Sequence, residues 1–301
     1  MTRLPVACLA LVAVSFVASP AAAQQKREIE HDGVARSYLV APAGKRNAPI
    51  VILLHGGTQN ARNVWNQTTL PRLARSEGFT LVAPDALDGA WNDGRTTYIS
   101  GKDPTRNDDA GFILKVVEAV IASEGGNAAR VFVTGASNGG YMSYRLACEH
   151  AGRFAGAAPV IAGLRPSPAS WCRPARPIPM LAINGTEDRL MTYDGSLSTL
   201  ARGEAVPHVS APAAAAFWAS NNRCSGSRQE TPAAKGLEEA TSVVITQYTG
   251  CAAATLLYTI VGGGHTWPNG PQPGPVIARF LGPTTRQIDA GQTIWSFFKR
   301  L

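Results

Sequence analysis

No dense run of lysine or arginine occurs anywhere in this chain of 301 residues. Its 28 basic and 21 acidic residues are scattered, so the formal charge of +7 describes a solvated basic surface and argues against a nucleic-acid partner. The chain has no C-x-x-C spacing and no cluster of neighbouring histidines, which argues against a bound metal. Past residue 23 no segment is long and apolar enough to span a bilayer. Internal repeats and domain linkers are also missing. Residues 24–301 therefore read as a single domain, of a size ordinary for one α/β enzyme.

The first 23 residues form a leader. Arg3 supplies a short positive start, Leu4 to Val17 is an apolar run, and Ala21-Ala22-Ala23 is a small-residue cleavage site before Gln24. Cys8 stands at the start of the apolar run rather than after it, which argues against a lipoprotein. Losing the leader removes only Arg3 among the charges, so +7 becomes about +6. The expected product is secreted or periplasmic. Four of the five cysteines remain: Cys148, Cys172, Cys224 and Cys251. An even number in an exported chain points to disulfides, and of the three possible pairings the sequential one, 148 to 172 and 224 to 251, is expected.

Lys26 to Val40 alternates polar and apolar residues around His31-Asp32-Gly33, as a strand pair would. Pro49 to Leu54 is a continuous apolar run, the pattern of a strand covered on both faces. Further strands are predicted at 79–83, 131–134, 154–161, 179–184, 242–248 and 255–261. Helices are predicted at 70–77, 110–123, 141–147, 211–221 and 284–301. Ala86 to Arg106 has little periodicity, and the proline-rich patches at 165–179 and 268–275 read as loops. Strands alternating with helices predict an α/β fold with a mostly parallel, doubly wound sheet.

Val131-Phe-Val-Thr-Gly-Ala-Ser-Asn-Gly-Gly-Tyr141 is the most informative stretch. Gly135-x-Ser137-x-Gly139 has the spacing of a nucleophile elbow, in which a strained turn lifts a serine hydroxyl above the sheet. Residues two before and two after the serine pass close to neighbouring backbone, where a Cβ would clash. A serine hydroxyl needs a base, and the base needs an orienter. Of His31, His55, His150, His208 and His265, only His265 stands late in the chain, directly after a strand and three glycines. Asp188 follows another strand end, with Glu187 and Asp194 as rivals. The order Ser137, Asp188, His265 is that of an α/β-hydrolase. The oxyanion donors are expected from the amide of Asn138 and from the His55-Gly56-Gly57-Thr58 loop, with Gly57 ahead of Thr58. His55 is expected to brace that loop rather than act as a base.

These residues together resemble the LpqC-like exported esterases, the group that includes type-one poly(3-hydroxybutyrate) depolymerases and feruloyl esterases. The likeness lies in Leu54-His-Gly-Gly-Thr-Gln59, Asp108-Asp109-x-Gly-Phe112, Gly135-Ala-Ser-Asn-Gly-Gly140, Asn184-Gly-Thr-Glu-Asp188 and Gly262-Gly-Gly-His-Thr-Trp-Pro268. It runs in order through nearly all of the chain after the leader. The resemblance implies an α/β-hydrolase fold, a triad on Ser137, Asp188 and His265, and no metal or cofactor. Many depolymerases of the group carry linker and polymer-binding domains, which this sequence does not show.

The expected activity is serine-dependent hydrolysis of a carboxylic ester through an acyl-enzyme. Feruloyl or polysaccharide-linked esters lead, and hydroxyalkanoate oligomers are the alternative. Acyl transfer would use the same intermediate. A non-catalytic carbohydrate-binding protein would have no need of all three triad members. Trp267, two residues after the expected base, Trp91 in the aperiodic loop and Trp65 after the oxyanion loop are expected to offer flat apolar surface to the substrate.

Overall fold

The computed structural model describes residues 24–95, 103–197, 207–236 and 240–301. The leader, its cleavage site and Cys8 lie outside these residues. One ten-stranded sheet organises the chain, in the order β1-β2-β4-β3-β5-β6-β7-β10-β9-β8. Its six central strands are parallel: β4 (Thr80–Pro84), β3 (Ile50–Leu54), β5 (Val131–Ala136), β6 (Gly156–Val160), β7 (Met180–Gly185) and β10 (Thr255–Val261). Antiparallel strands close both edges. β1 (Gln25–His31) and β2 (Val34–Ala41) flank β4, while β9 (Ser242–Thr249) and β8 (Gly226–Glu230) flank β10.

The apolar runs have the cause expected of them. Every residue of β3 is fully buried, because helices cover both faces of the sheet. Ile50, Ile52 and Leu54 point into one core, shared with α3 (Asp109–Glu124), α4 (Asn138–Glu149) and α6 (Ala211–Asn221). Val51 and Leu53 point into the other, shared with α1 (Ala61–Gln67), α2 (Leu70–Glu77) and α8 (Ala290–Phe298). Local chemistry sets the helix ends. Gly78 takes the left-handed conformation at φ 73° and its N–H closes α2 on Ala74 O, a role that suits glycine.

Among the described residues, several elements escape the sequence patterns. β8 reads Gly-Ser-Arg-Gln-Glu and is exposed throughout, so it carries no apolar signal. α1 is a capping-box helix begun by Asn60. The proline-rich patches run into two short helices, α5 (Pro168–Trp171) and α7 (Pro275–Leu281), each started by proline near its first turn, where the missing N–H costs nothing. The last helix is shorter than its apolar pattern suggests. It begins at Ala290 because the Asp289 carboxylate accepts the Gln292 N–H at 2.9 Å and so fixes the cap. Residues 284–289 are not helical.

The cysteines pair sequentially, Cys148 with Cys172 and Cys224 with Cys251. The first bond ties the end of α4 to the segment after α5. The second ties the end of α6 to the β9–β10 turn. Each closes a loop of 24 or 27 residues. In the chain-entropy picture a loop of that size is worth about 3 kcal/mol of folding free energy. Among the described residues no helix is long and apolar enough to cross a membrane.

Candidate active site

All the catalytic candidates follow the carboxyl ends of parallel strands, where such a sheet places its crevice. Ser137 stands between β5 and α4 at φ 55° and ψ −120°, a conformation that L-residues rarely adopt. The flanking glycines permit it. A Cβ on Gly135 would lie 2.6 Å from Gly139 O, and one on Gly139 would lie 2.6 Å from His55 O. Those are backbone atoms that cannot move aside, so Gly-x-Ser-x-Gly is a steric necessity of this turn.

Asp188 follows β7 and His265 follows β10. Asp188 Oδ2 lies 2.7 Å from His265 Nδ1, and both side chains are buried. The second carboxylate oxygen of Asp188 accepts the Leu190 and Met191 N–H groups at 2.9 and 2.8 Å. The rivals are placed elsewhere. Glu187 and Asp194 are exposed, and Asp194 accepts bonds from Ser196. His265 itself is anchored by its own N–H, which donates to Leu281 O at 2.5 Å.

Ser137 and His265 open onto one cavity of about 340 Å³. Gly57 and Asn138 line it beside the serine. An idealised Cβ on Gly57 would sit 3.8 Å from Asn138 Cβ, so the two backbones are neighbours. Thr58 also lines the cavity, but its N–H is committed to Gly89 O at 2.8 Å. The apolar part of the lining comes from Ile161, Leu190, Met191, Trp267 and Leu281 with Pro271 and Pro273. Gln59, Gln67 and Arg95 add polar groups.

The tryptophans divide. Trp267 lines the cavity although only 5% of it is exposed. Trp91 does not line it. It is fully buried in the core, and its Nε1–H donates to His55 O at 3.0 Å. Trp65, on α1, is 6% exposed, packs in the other core and does not line the cavity. Nearness in sequence to the oxyanion loop does not say which face of a helix or loop a ring occupies, so the expectation of a substrate role for Trp65 and Trp91 is corrected.

His55 braces the Gly56–Thr58 loop as a neutral ring. Its Nδ1–H donates to Gly56 O at 2.8 Å, which leaves Nε2 to accept the Ala86 N–H at 3.0 Å. A protonated ring could not accept that bond. Burial holds its pKa below 6.5. Below about pH 6.5 the unfolded chain binds a proton at His55 that the folded protein refuses, so stability falls as pH drops from about 6.5 toward the folded pKa. We expect the unfolding midpoint in urea, followed from pH 7.5 to 5, to decline less steeply in His55→Gln than in the wild type. Equal slopes would assign the decline to other groups.

Several cavity residues carry no sequence signal. Leu190 and Met191 are there because their amides hold Asp188, and Leu281 because its carbonyl holds His265. Arg95 lies in the aperiodic loop, where it faces Asp93. Outside the cavity lining, His31, Asp32 and Asp108 bring possible ligand atoms within 4.8 Å of one another, the one such group among the described residues. His31 and Asp108 are already bonded there, at 3.1 Å.

Comparison with known proteins places the chain in a family. Residues 35–169 match the family described as esterase PHB depolymerase. NocK of Nocardia uniformis subsp. tsuyamanensis is 31% identical over 285 residues, 90% of this chain and 81% of that protein. Feruloyl esterase B of Piromyces equi is 27% identical over 80% of this chain, which spans 44% of that longer protein. Among solved structures, an acetyl xylan esterase from Aspergillus awamori superimposes with a TM-score of 0.59, covering 92% of this chain and all of that one at 13% identity. That likeness bears on the fold, which is α/β-hydrolase.

Proposed function

Since this chain belongs to the esterase PHB depolymerase family and is an esterase, we propose that it hydrolyses carboxylic esters through an acyl-enzyme on Ser137, with His265 as base and Asp188 as orienter. The observation that carries the reading is the 2.7 Å Asp188–His265 pair, whose histidine shares one cavity with a serine held in the elbow conformation.

The steps follow from that arrangement. Ser137 Oγ attacks the ester carbonyl while His265 Nε2 takes its proton. Asp188 holds Nδ1–H and so keeps Nε2 free of a proton at the start, then stabilises the imidazolium. The amides of Gly57 and Asn138 donate to the developing oxyanion. His265 returns the proton to the leaving alcohol, whose C–O bond breaks. Water, deprotonated by the same histidine, then releases the acid and restores Ser137.

For the substrate, an aromatic acyl ester of the feruloyl type fits best. The apolar wall and the Trp267 ring offer a flat surface, and about 340 Å³ is room for a small aromatic acyl group with part of its alcohol. The feruloyl esterase among the relatives supports the same class. Two disulfides, with the leader sequence, support export to an oxidising compartment.

Methyl ferulate, acetylated xylan, hydroxybutyrate oligomers and p-nitrophenyl acetate, given to purified protein, test this reading. Turnover of none would restore the binding-protein alternative, and turnover of the oligomers alone would move the substrate to hydroxyalkanoates. Trp267→Ala refines it. Loss of a flat contact costs about 1–3 kcal/mol in transition-state binding, so kcat/KM for methyl ferulate should fall roughly 5- to 150-fold, with p-nitrophenyl acetate nearly unchanged. Equal losses on both would mean that Trp267 only braces His265.

A further inference from the structure

Residues 86–95, which leave β4, reach both of the proposed oxyanion donors. On one side Gly89 O accepts the Thr58 N–H at 2.8 Å, next to Gly57, and the Trp91 indole holds His55 O at 3.0 Å. On the other side the segment grips Asn138. The Asn138 Oδ1 accepts the Trp91 N–H at 2.8 Å. Its Nδ2 donates to Trp91 O at 3.1 Å and to Asp93 Oδ2 at 2.6 Å. Three bonds in two directions fix the plane of that side-chain amide.

Asp93 is 1% exposed. Arg95 compensates its charge, with Nε at 3.0 and 2.9 Å from the two oxygens and Nη2 at 2.5 Å from Oδ2. The guanidinium carbon lies 3.8 Å from the centroid of Tyr141, one turn beyond Asn138. Arg145, a further turn along, donates to Asn92 O at 2.6 Å. The segment therefore holds one face of α4 at three successive turns.

The backbone chemistry of α4 gives this grip a consequence. Asn138 is the first residue of the helix, so its N–H is one of the four that no helical carbonyl accepts. Nothing in the helix ladder aims it. Its direction is set by the Ser137 turn before it and by whatever holds its own side chain. The Trp91 bonds come from backbone and survive substitution. The Asp93 carboxylate is the one side-chain acceptor among the bonds described here to Asn138, and a charged one, hence the stronger.

We propose that Asp93 is a positioning residue of the oxyanion hole, acting through the Asn138 side chain to aim the Asn138 amide. The inference rests on the reading of Ser137 as nucleophile and of Asn138 as oxyanion donor. A donor displaced by a fraction of an ångström still lets substrate bind. It fails to meet the charge that develops only in the transition state. The signature is a fall in kcat with KM preserved.

The test compares Asp93→Ala, Asp93→Asn, Asn138→Ala and the Asp93→Ala/Asn138→Ala double variant on p-nitrophenyl acetate. A fluorophosphonate carried to completion counts the competent Ser137 in each preparation. Removing an oxyanion donor outright costs about 100- to 1,000-fold, so misaiming one should lower kcat per labelled site by roughly 10- to 100-fold in Asp93→Ala and in Asn138→Ala, with KM within about twofold. Asp93→Asn, which can still accept the Asn138 bond but through a neutral oxygen, a weaker acceptor than the carboxylate, should fall between these and the wild type. The double variant should lose no more than the worse single one, because both remove the same contact. Wild-type kcat per labelled site in Asp93→Ala, or losses that multiply in the double variant, would overturn the proposal while leaving the nucleophile intact. A wild type that takes no label at Ser137 would instead sink the site reading on which it rests.

Discussion

Ser137→Ala is expected to lose ester hydrolysis by at least about a thousandfold while remaining folded. The loss follows from chemistry, since without the hydroxyl no acyl-enzyme forms and only binding and the oxyanion donors remain to act. The intact fold follows from geometry. The backbone at position 137 is held at φ 55°, which costs on the order of 1–3 kcal/mol for any residue with a Cβ. Alanine bears the same cost as serine, so the variant starts from the same strained turn. The Ser137 N–H still donates to Val160 O at 3.0 Å, and α4 still starts from the carbonyl of residue 137. Initial rates on p-nitrophenyl acetate together with thermal melts check both halves. Turnover within tenfold of the wild type, with contaminating esterase excluded, would refute the assignment of the nucleophile. A collapsed melt would mean that the hydroxyl serves the turn as well as the reaction.

The elbow was legible in the sequence because its glycines answer to sterics that act within a few residues. Gly135 and Gly139 face each other and the β3 carboxyl end, and no larger residue fits. The placing of Asp188 and His265 just past strand ends was legible for a different reason. Each follows an apolar strand, and a parallel sheet gathers such ends on one side whatever the strand order. The apolar runs at 50–54 and 131–134 likewise read as strands buried within the sheet. What stayed hidden depends on orientation or on distant partners. Trp65 and Trp91 follow the right loops but face the two cores, a choice made by packing and, for Trp91, by a bond to His55 O. Asp93 and Asn138 meet across 45 positions, one of them in a loop with no period to read. β8 is an exposed polar edge, and its pairing with β9 is backbone bonding that side-chain pattern does not encode.

Asp188→Asn is expected to be nearly as damaging as loss of the nucleophile, and the reason lies in the two amides behind the carboxylate. Oδ1 of Asp188 accepts the Leu190 N–H at 2.9 Å and the Met191 N–H at 2.8 Å. In the asparagine variant only the carbonyl oxygen can take that position, because an NH₂ group facing two N–H donors would be repelled and left unpaired. The NH₂ must then face His265 Nδ1, across the 2.7 Å gap now spanned by Oδ2. Facing a donor, Nδ1 has to accept. The ring proton moves to Nε2, the atom that should take the Ser137 proton. The base is thereby blocked without any change of shape. In a serine protease the equivalent exchange lowers kcat by about 10⁴, and we expect a loss of about 10³–10⁴ here. Asp188→Ala frees the ring to choose its tautomer and should retain more activity than Asp188→Asn. That inverted order distinguishes tautomer control from simple loss of charge, since an absent carboxylate is common to both. Rates per fluorophosphonate-labelled site in the two variants decide it. An asparagine variant within tenfold of the wild type would remove Asp188 from the triad. Equal losses in the two would leave its negative charge, rather than its hold on the ring, as what the reaction uses.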